Sequence, residues 1–370
     1  MPISPKATLV SSCGKARCFS FNGAQTPAAL IQTRTCFQPY LTLDMIQRLP
    51  EKPLFSIAVG DLYHFAKVIQ DSKKGIKEFI ALQDYYVHLQ MRTIETFPVP
   101  RATDDSVGVL TSEGNREISV DDYIEYTKTM GFDSFTSFHD EVPLSIGKRR
   151  GKQSVLRTKN WLMKHIESSP SALVATIQAT ENLRLLEDQL SLINQNKDRL
   201  LGVNIAGLYL GETAQQRNEL LSRIFAALPE SLIRFVTGPN SPRDVLEAIA
   251  VGSDVSVCSY PIDLAEKAYC SCYWNGEGSF VPHKTKMNLM DTAFKDDTSL
   301  LVENCSCYTC QHFTKGYVHH LFNCHEMLGV ILLAQHNMHH FMQLMMNARE
   351  SIRKNTFQEF CEEFDKHCSE

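Results

Sequence analysis

Three closely spaced cysteines carry the strongest chemical signal in this sequence. Cys305, Cys307 and Cys310 follow the spacing C-x-C-x₂-C, which lets three sulfur atoms approach one metal ion. Three thiolates and one imidazole form a closed tetrahedral set for Zn²⁺. Because four protein ligands leave no position for water, the pattern predicts a structural zinc ion and argues against a metallohydrolase, whose catalytic zinc keeps an open position.

The fourth ligand of this site is expected to be a histidine, but spacing alone does not select it. The candidates downstream are His319, His320, His336, His339 and His340. A second C-x-C pair, Cys270 and Cys272, has no further ligands close in the sequence. We therefore interpret these two residues as ordinary thiols.

The rest of the chain alternates short apolar runs with longer stretches of helical periodicity. The expected strands are 54–59, 135–138, 173–177, 200–205, 233–236 and 254–258, and the expected helices are 154–166, 182–194, 212–227 and 242–250, with another beginning near residue 62. This alternation predicts parallel βαβ units, and their number fits an α/β fold of the (β/α)₈ barrel type. In such a barrel the working residues lie at the carboxyl ends of the strands.

Composition excludes several classes of protein. The chain has 370 residues with 37 Lys plus Arg against 42 Asp plus Glu, a net charge of −5, and 43% of its residues are hydrophobic. This hydrophobic content excludes disorder over the whole chain. The longest apolar run, 327–334, is far shorter than the roughly 20 residues that cross a bilayer. The negative charge argues against a generic nucleic-acid binder but not against a local basic site.

The N-terminal segment bears on the compartment. No signal peptide is recognised there, so the cysteines are expected to be thiols or metal ligands in a reducing environment. No acidic residue precedes Asp44, a bias that organelle transit peptides share. We interpret this start as a basic β region instead, because segments such as 28–33 have the pattern of a strand.

A local basic cluster interrupts this acidic chain. Its members are Lys148, Arg149, Arg150, Lys152, Arg157, Lys159 and Lys164. Such a cluster can neutralise phosphate groups. It can equally be the solvated face of a helix whose charges are balanced elsewhere, and the sequence supports the two interpretations alike.

Several motifs, in chain order, resemble those of the tRNA-guanine (queuine) transglycosylases. The block 305–337 is similar to their zinc subdomain, with Cys305-Ser-Cys-Tyr-Thr-Cys310, Tyr317-Val-His-His-Leu-Phe322, Glu326-Met-Leu-Gly329 and His336-Asn337. Upstream, the similar segments are 14–17, 41–43, 131–141, 149–162, 207–212 and 238–254. The resemblance therefore spans nearly the whole chain.

This resemblance implies a TIM barrel with an N-terminal antiparallel β segment and a zinc-binding subdomain, divided as 1–50, 51–290 and 291–370. It also implies that His336 is the fourth zinc ligand beside Cys305, Cys307 and Cys310. Members of the family exchange guanine at the tRNA wobble position for a 7-deazaguanine base. Their nucleophile is an Asp carboxylate that attacks the ribose anomeric carbon and holds the ribose covalently, while a second Asp manages protons.

The position of the family's nucleophile is not kept. It corresponds to Val257, which has no lone pair and cannot form the glycosyl ester. Asp254 lies three residues earlier, and because side chains alternate along a strand we expect it on the opposite face. The "TR" that follows in the family is replaced by Ile262-Asp263.

Other active-site motifs differ as well. The loop with the proton-handling Asp corresponds to 84–90, where Asp84 can align with that Asp but tyrosines replace the paired glycines. Ala206 replaces the first glycine of another base-binding motif. Only Asp140 clearly keeps a base-recognition position. Several active-site positions differ from the family's motifs together, which indicates that the activity has been lost. We therefore expect no catalytic and no cofactor-binding residue in this chain.

The pattern resembles the non-catalytic accessory subunits of the family's eukaryotic heterodimers. The resemblance implies one structural Zn²⁺ and, as partners, the catalytic subunit of a queuine tRNA-ribosyltransferase and tRNAs with a GUN anticodon, with a homodimer in isolation. It also implies a cytoplasmic protein in peripheral association with the mitochondrial outer membrane. The alternatives are an active transglycosylase whose nucleophile has moved to Asp254 or Asp84, and a zinc-containing interaction scaffold without a role in tRNA.

Overall fold

An antiparallel sheet of three strands opens the chain in the computed structural model, which describes residues 7–98, 101–168, 172–274 and 285–368. The strands are β1 (Thr8–Cys13), β2 (Ala16–Phe21) and β3 (Ala24–Gln25). Gly14 turns the chain between β1 and β2 with φ +58°, a conformation that glycine adopts without the steric cost of a side chain.

Eight parallel strands then close into a barrel. In chain order the strands that follow are β4 (Ala28–Gln32), β5 (Leu54–Ala58), β6 (Tyr86–Gln90), β7 (Ser106–Thr111), β8 (Gly114–Ser119), β9 (Ser134–Thr136), β10 (Leu173–Gln178), β11 (Gly202–Ala206), β12 (Ile233–Thr237) and β13 (Val255–Cys258). All of these belong to the barrel except β7 and β8, which pair as an antiparallel hairpin. Pairing of β13 with β4 completes the barrel, with Val257 opposite Leu30.

An apolar cluster fills part of the barrel interior. Val174, Phe235, Val255 and Val257 are fully buried in it, and Phe21 of the N-terminal sheet packs into the same cluster. Val255 and Val257 share this face because side chains two residues apart in a strand point the same way.

Helices follow most of the barrel strands. They are α1 (Leu43–Ile46), α2 (Val59–Leu62), α3 (Ala66–Ser72), α4 (Ile76–Phe79), α5 (Val120–Thr129), α6 (Lys148–Ser168), α7 (Leu183–Asn196), α8 (Ala214–Ala227), α9 (Pro242–Ala250) and α10 (Tyr260–Glu266). A capping box of Thr213 and Gln216 fixes the start of α8 by satisfying backbone N–H groups that have no partner within the helix.

The described part of the C-terminal region is mostly helical and contains one antiparallel pair of short strands. Its elements are β14 (Tyr269–Ser271), β15 (Lys286–Asn288), α11 (Tyr308–His312), α12 (Lys315–Asn323), α13 (Met327–Arg353) and α14 (Phe357–His367), with a short 3₁₀ turn at Thr292–Phe294. Another 3₁₀ turn, Lys197–Arg199, follows α7 in the barrel unit. Among the described residues, no helix combines the length and the apolar character that crossing a membrane requires.

The chain divides into two compact units. One takes the described residues of 1–37, 54–239 and 247–258 and contains the barrel. The other takes the described residues of 38–53, 240–246 and 259–370 and contains the C-terminal helices. The division of the chain at residues 50 and 290 stays a prediction.

The (β/α)₈ fold expected from the sequence is confirmed. The expected helix 242–250 corresponds to α9, and the expected strands 173–177 and 233–236 lie within β10 and β12. The assignment of 84–90 to a loop is wrong, because Tyr86–Gln90 forms the buried barrel strand β6. Tyr85, Tyr86 and Val87 are of types that favour β-strands, and they were the feature of the sequence that indicated a strand here.

Candidate metal centre and barrel mouth

Three cysteines and one histidine converge in the unit of C-terminal helices. Cys305 and Cys307 precede α11, Cys310 lies within it, and His336 lies within α13. All four residues are buried, and their ligand atoms lie within 4.8 Å of one another. The Nδ1 atom of His336 is 3.3 Å from the Sγ atoms of Cys307 and Cys310 and 4.0 Å from that of Cys305.

These distances fit a tetrahedral zinc ion. Zn–S bonds of about 2.3 Å and Zn–N bonds of about 2.0–2.1 Å place sulfur and nitrogen ligands about 3.6 Å apart, between the observed values. The other ring nitrogen of His336, Nε2, lies 2.9 Å from the carbonyl oxygen of Ser271. A proton on Nε2 then donates to that carbonyl and leaves the lone pair of Nδ1 for the metal.

Backbone groups complete the surroundings of this cluster. The amide of Cys310 donates to the Sγ atom of Cys307 at 3.3 Å, which favours a thiolate at Cys307. Thr309 donates from its hydroxyl to the carbonyl oxygen of Leu332, tying α11 to α13 at 2.8 Å. The chemistry that a zinc ion supplies in such a closed set is stabilisation of the fold.

The remaining histidines have other surroundings. His319 contacts the carbonyl oxygen of Leu289 through Nδ1 at 2.8 Å, and His320 is exposed beside Cys324. The centroid of the His340 ring lies 4.3 Å from that of His336, with the two rings tilted by 37°, and burial lowers the pKa of His340 to about 4. Cysteine spacing left several histidines as candidates for the fourth ligand. Of these, His336 has its Nδ1 atom facing the three sulfur atoms.

Asp140 follows β9 at the carboxyl end of the barrel, where it is held by arginines of α6. Its carboxylate accepts hydrogen bonds from Arg150 at 2.6 and 2.5 Å, one to each oxygen. Arg157 donates to it as well, at 3.4 Å. The backbone amide of Asp140 donates to the Thr158 hydroxyl, and its side chain is 3% exposed. Both oxygen atoms of the Asp140 carboxylate therefore already accept hydrogen bonds from other residues of the chain.

Glu141, the next residue, is engaged in the same way. Its carboxylate accepts from Arg92, which follows β6, and from the backbone amide of Gly207 at 2.9 Å. Burial works against its charge, but the Arg92 guanidinium outweighs that effect and holds the pKa of Glu141 below its usual range. The sequence analysis did not identify Arg92. The only indication of its role was its position after β6, a strand that the sequence analysis did not predict.

Val257 and Asp254 face different surroundings, as the odd offset predicted. Val257 is packed in the apolar cluster of the barrel and is 2% exposed. Asp254 precedes β13 and forms a buried ion pair with Arg17, while it accepts from the backbone amide of Arg234 at 2.8 Å. Burial raises the pKa of Asp254 to about 6, although Arg17 and that amide oppose the shift.

Asp84 does not lie at the carboxyl ends of the strands. It is exposed and precedes β6, so it belongs to the amino end of that strand. The segment that follows β6 at the barrel mouth begins with Met91 and Arg92 instead. The suggested alignment of Asp84 with the proton-handling Asp of the family is therefore wrong.

Comparison with known proteins agrees with the motifs. A family model described as queuine tRNA-ribosyltransferase matches residues 13–370. Proteins named "Queuine tRNA-ribosyltransferase accessory subunit 2" are similar to the chain: the one from Anopheles gambiae is 27% identical over 90% of this chain and 82% of its own length. The one from Xenopus tropicalis is 26% identical over 94% of this chain and 95% of its own length. A Helicobacter pylori (strain Shi470) "Queuine tRNA-ribosyltransferase" is 30% identical over 61% of this chain and 59% of its own length.

Proposed function

This chain belongs to the queuine tRNA-ribosyltransferase family, and on that premise we propose that it is the accessory subunit of a queuine tRNA-ribosyltransferase. Relatives that carry the accessory-subunit name align with it over about nine tenths of its length. In this role the chain dimerises with a catalytic partner and helps to hold the tRNA, and so supports the exchange of guanine for queuine at wobble position 34. It does not perform the exchange alone.

The environment of Val257 is the main support for the proposal that this chain does not catalyse the exchange. A glycosyl ester needs a carboxylate at this place, and the side chain present is an alkyl group packed in the barrel core. Asp254 is held by Arg17 and Asp84 lies at the amino end of β6, so neither carboxylate replaces it at the barrel mouth.

The engaged carboxylates at the mouth support the same proposal. A carboxylate recognises a base by accepting its N–H groups. In this chain the Arg150 guanidinium already supplies such donors to both oxygens of Asp140. A base that bound there would have to displace a bidentate, charge-assisted pair, which is among the stronger hydrogen-bonded arrangements.

The proposed partners follow from the accessory role. They are the catalytic subunit, in a heterodimer, and tRNAs with a GUN anticodon, and the isolated chain forms a homodimer. We extend the proposal to one structural Zn²⁺ held by Cys305, Cys307, Cys310 and His336, and to a cytoplasmic protein in peripheral contact with the mitochondrial outer membrane. Release of the protein from mitochondria by a high-salt or alkaline wash checks the last point.

A reconstituted exchange assay tests this function. The chain alone, a catalytic subunit alone and their equimolar mixture are each incubated with labelled guanine and a tRNA with a GUN anticodon. We expect co-purification of the two chains, exchange by the mixture and none by this chain alone. Exchange by the isolated chain would support the relocated nucleophile. Partner binding without any change in exchange or tRNA binding would support the interaction scaffold.

A further inference from the structure

Helix α6 carries basic side chains along two edges, and the first of these is neutralised within the chain. Arg150, Arg157 and Lys164 recur at intervals of seven residues and so share one edge of the helix. Their carboxylate partners are Asp140 for Arg150, Asp140 and Asp104 for Arg157, and Asp105 for Lys164. This edge has little charge left to offer to another molecule.

The second edge keeps its charge. Lys148, Lys152 and Lys159, which we call the basic edge, follow one another at intervals of four and seven residues. Lys148 and Lys152 are exposed and Lys159 is half-buried. Over the residues that the structure describes, none of the three forms an ion pair. The helix contains no acidic residue before Glu167, so its own sequence does not offset these charges.

The basic edge begins beside the mouth of the barrel. Arg150, within the first turn of α6, holds Asp140 in the segment that follows β9, at the carboxyl end of the strands. Lys148 is two residues before Arg150, and the exposed Arg149 adds a fourth cation between them. The cations therefore start at the face of the barrel where TIM-barrel proteins meet their substrates.

We propose that the basic edge, with Arg149, binds the phosphate backbone of the tRNA. This inference rests on the proposed function and assigns the contact to particular residues. With a rise of 1.5 Å per residue, Lys148 and Lys152 lie about 6 Å apart along the helix, and Lys152 and Lys159 about 10 Å apart. A row of cations with this extent matches a repeating chain of phosphates, and it positions an RNA without reading its bases.

The apolar side chains of the same face do not form a protein-binding patch. Leu156 and Met163 are 42% and 44% exposed. Leu156 and Met163 are seven residues apart, and the polar residues Lys159 and Asn160 lie between them in the sequence. Protein interfaces need a contiguous, desolvated apolar centre that is poor in lysine, and this face lacks one.

Neutralising the basic edge tests the proposal. The triple variant Lys148→Gln, Lys152→Gln, Lys159→Gln is compared with a control of equal charge change, Lys67→Gln, Lys73→Gln, Lys128→Gln, whose lysines are exposed elsewhere on the barrel unit. Each is assembled with the catalytic subunit, and tRNA affinity is measured over a series of salt concentrations. Loss of three phosphate contacts lowers the slope of log K against log salt by about 2 to 2.7.

We expect this change in slope for the triple variant and the wild-type slope for the control. Equal slopes for the two variants would overturn the inference and leave the proposed function intact. Failure of the triple variant to bind the catalytic subunit would overturn it too, because the edge would then be a protein interface. If the wild-type chain adds nothing to the tRNA affinity of its partner, the tRNA-holding part of the proposed function fails first.

Discussion

Arg150 donates to both carboxylate oxygens of Asp140, at 2.6 and 2.5 Å. The two residues are ten apart in the chain, and the ion pair ties the first turn of α6 to the segment after β9. Asp140 is the residue whose position in the sequence resembles a base-recognition site. In this chain Arg150 holds the Asp140 carboxylate, and the pair joins two segments of the barrel unit.

Replacement of Arg150 by methionine is expected to destabilise the barrel unit. The buried Asp140 carboxylate would keep only the longer contact from Arg157, and breaking a buried pair costs about 3–5 kcal/mol. We expect the lower end, about 3 kcal/mol, measured as the free energy of unfolding in urea. Arg149→Met, at an exposed neighbour, is the control and should cost less than about 0.5 kcal/mol. Equal costs for the two variants would contradict the role of the pair.

Asp254→Asn is expected to lower stability without lowering exchange by the assembled enzyme. The variant leaves the Arg17 guanidinium buried without its charged partner, which costs about 3 kcal/mol. Urea unfolding measures the first effect, and labelled-guanine exchange by the heterodimer, at a temperature where the variant is folded, measures the second. Asp84→Asn, at an exposed site, should change neither quantity. A folded Asp254→Asn chain that abolished exchange would favour a relocated nucleophile.

Removal of the metal is expected to unfold the helical region around α11. Metal analysis should find one zinc ion per wild-type chain and none in Cys310→Ser, because the closed site has no spare ligand. A chelator should lower the thermal midpoint of the wild-type chain, since binding of structural zinc is coupled to folding. Cys324→Ser, an exposed thiol outside the cluster, should keep its zinc. Zinc retained by Cys310→Ser would contradict the ligand set.

Acidification below about pH 6.5 is expected to destabilise the barrel partly through His88. Burial lowers the pKa of His88 to about 3, whereas an unfolded histidine titrates near 6.5. Between these values the unfolded chain binds a proton that the folded chain does not, so stability falls as the pH falls. His88 accounts for about 2 kcal/mol of the loss between pH 7 and pH 5.

Urea unfolding at the two pH values checks this prediction. His88→Gln should lose about 2 kcal/mol less than the wild-type chain on going from pH 7 to pH 5. His320→Gln, at an exposed site, should keep the wild-type pH dependence. An unchanged pH dependence in His88→Gln would show that His88 is not the buried neutral group.

The sequence by itself determined the features that depend on local pattern. Alternation of apolar runs and helical periods predicted the barrel, because strands and helices impose different periods on their buried faces. The spacing of Cys305, Cys307 and Cys310 predicted a metal site to which these three residues supply sulfur ligands. The resemblance to the family aligned Val257 with the position of the nucleophile, and the odd offset of Val257 from Asp254 could be read without coordinates.

Only the tertiary structure decided which distant side chains meet. Asp254 and Arg17 are 237 residues apart, and nothing in the sequence pairs them. The resemblance to the family had already indicated His336, but the packing of α11 against α13 decides that its Nδ1 atom faces the sulfur atoms. The division of the basic cluster into a neutralised and a charged edge depends equally on how separate segments pack. The physical reason is that local periodicity fixes the face on which a side chain lies, whereas its partner is fixed by the closure of the barrel and the packing of helices brought together from distant parts of the chain.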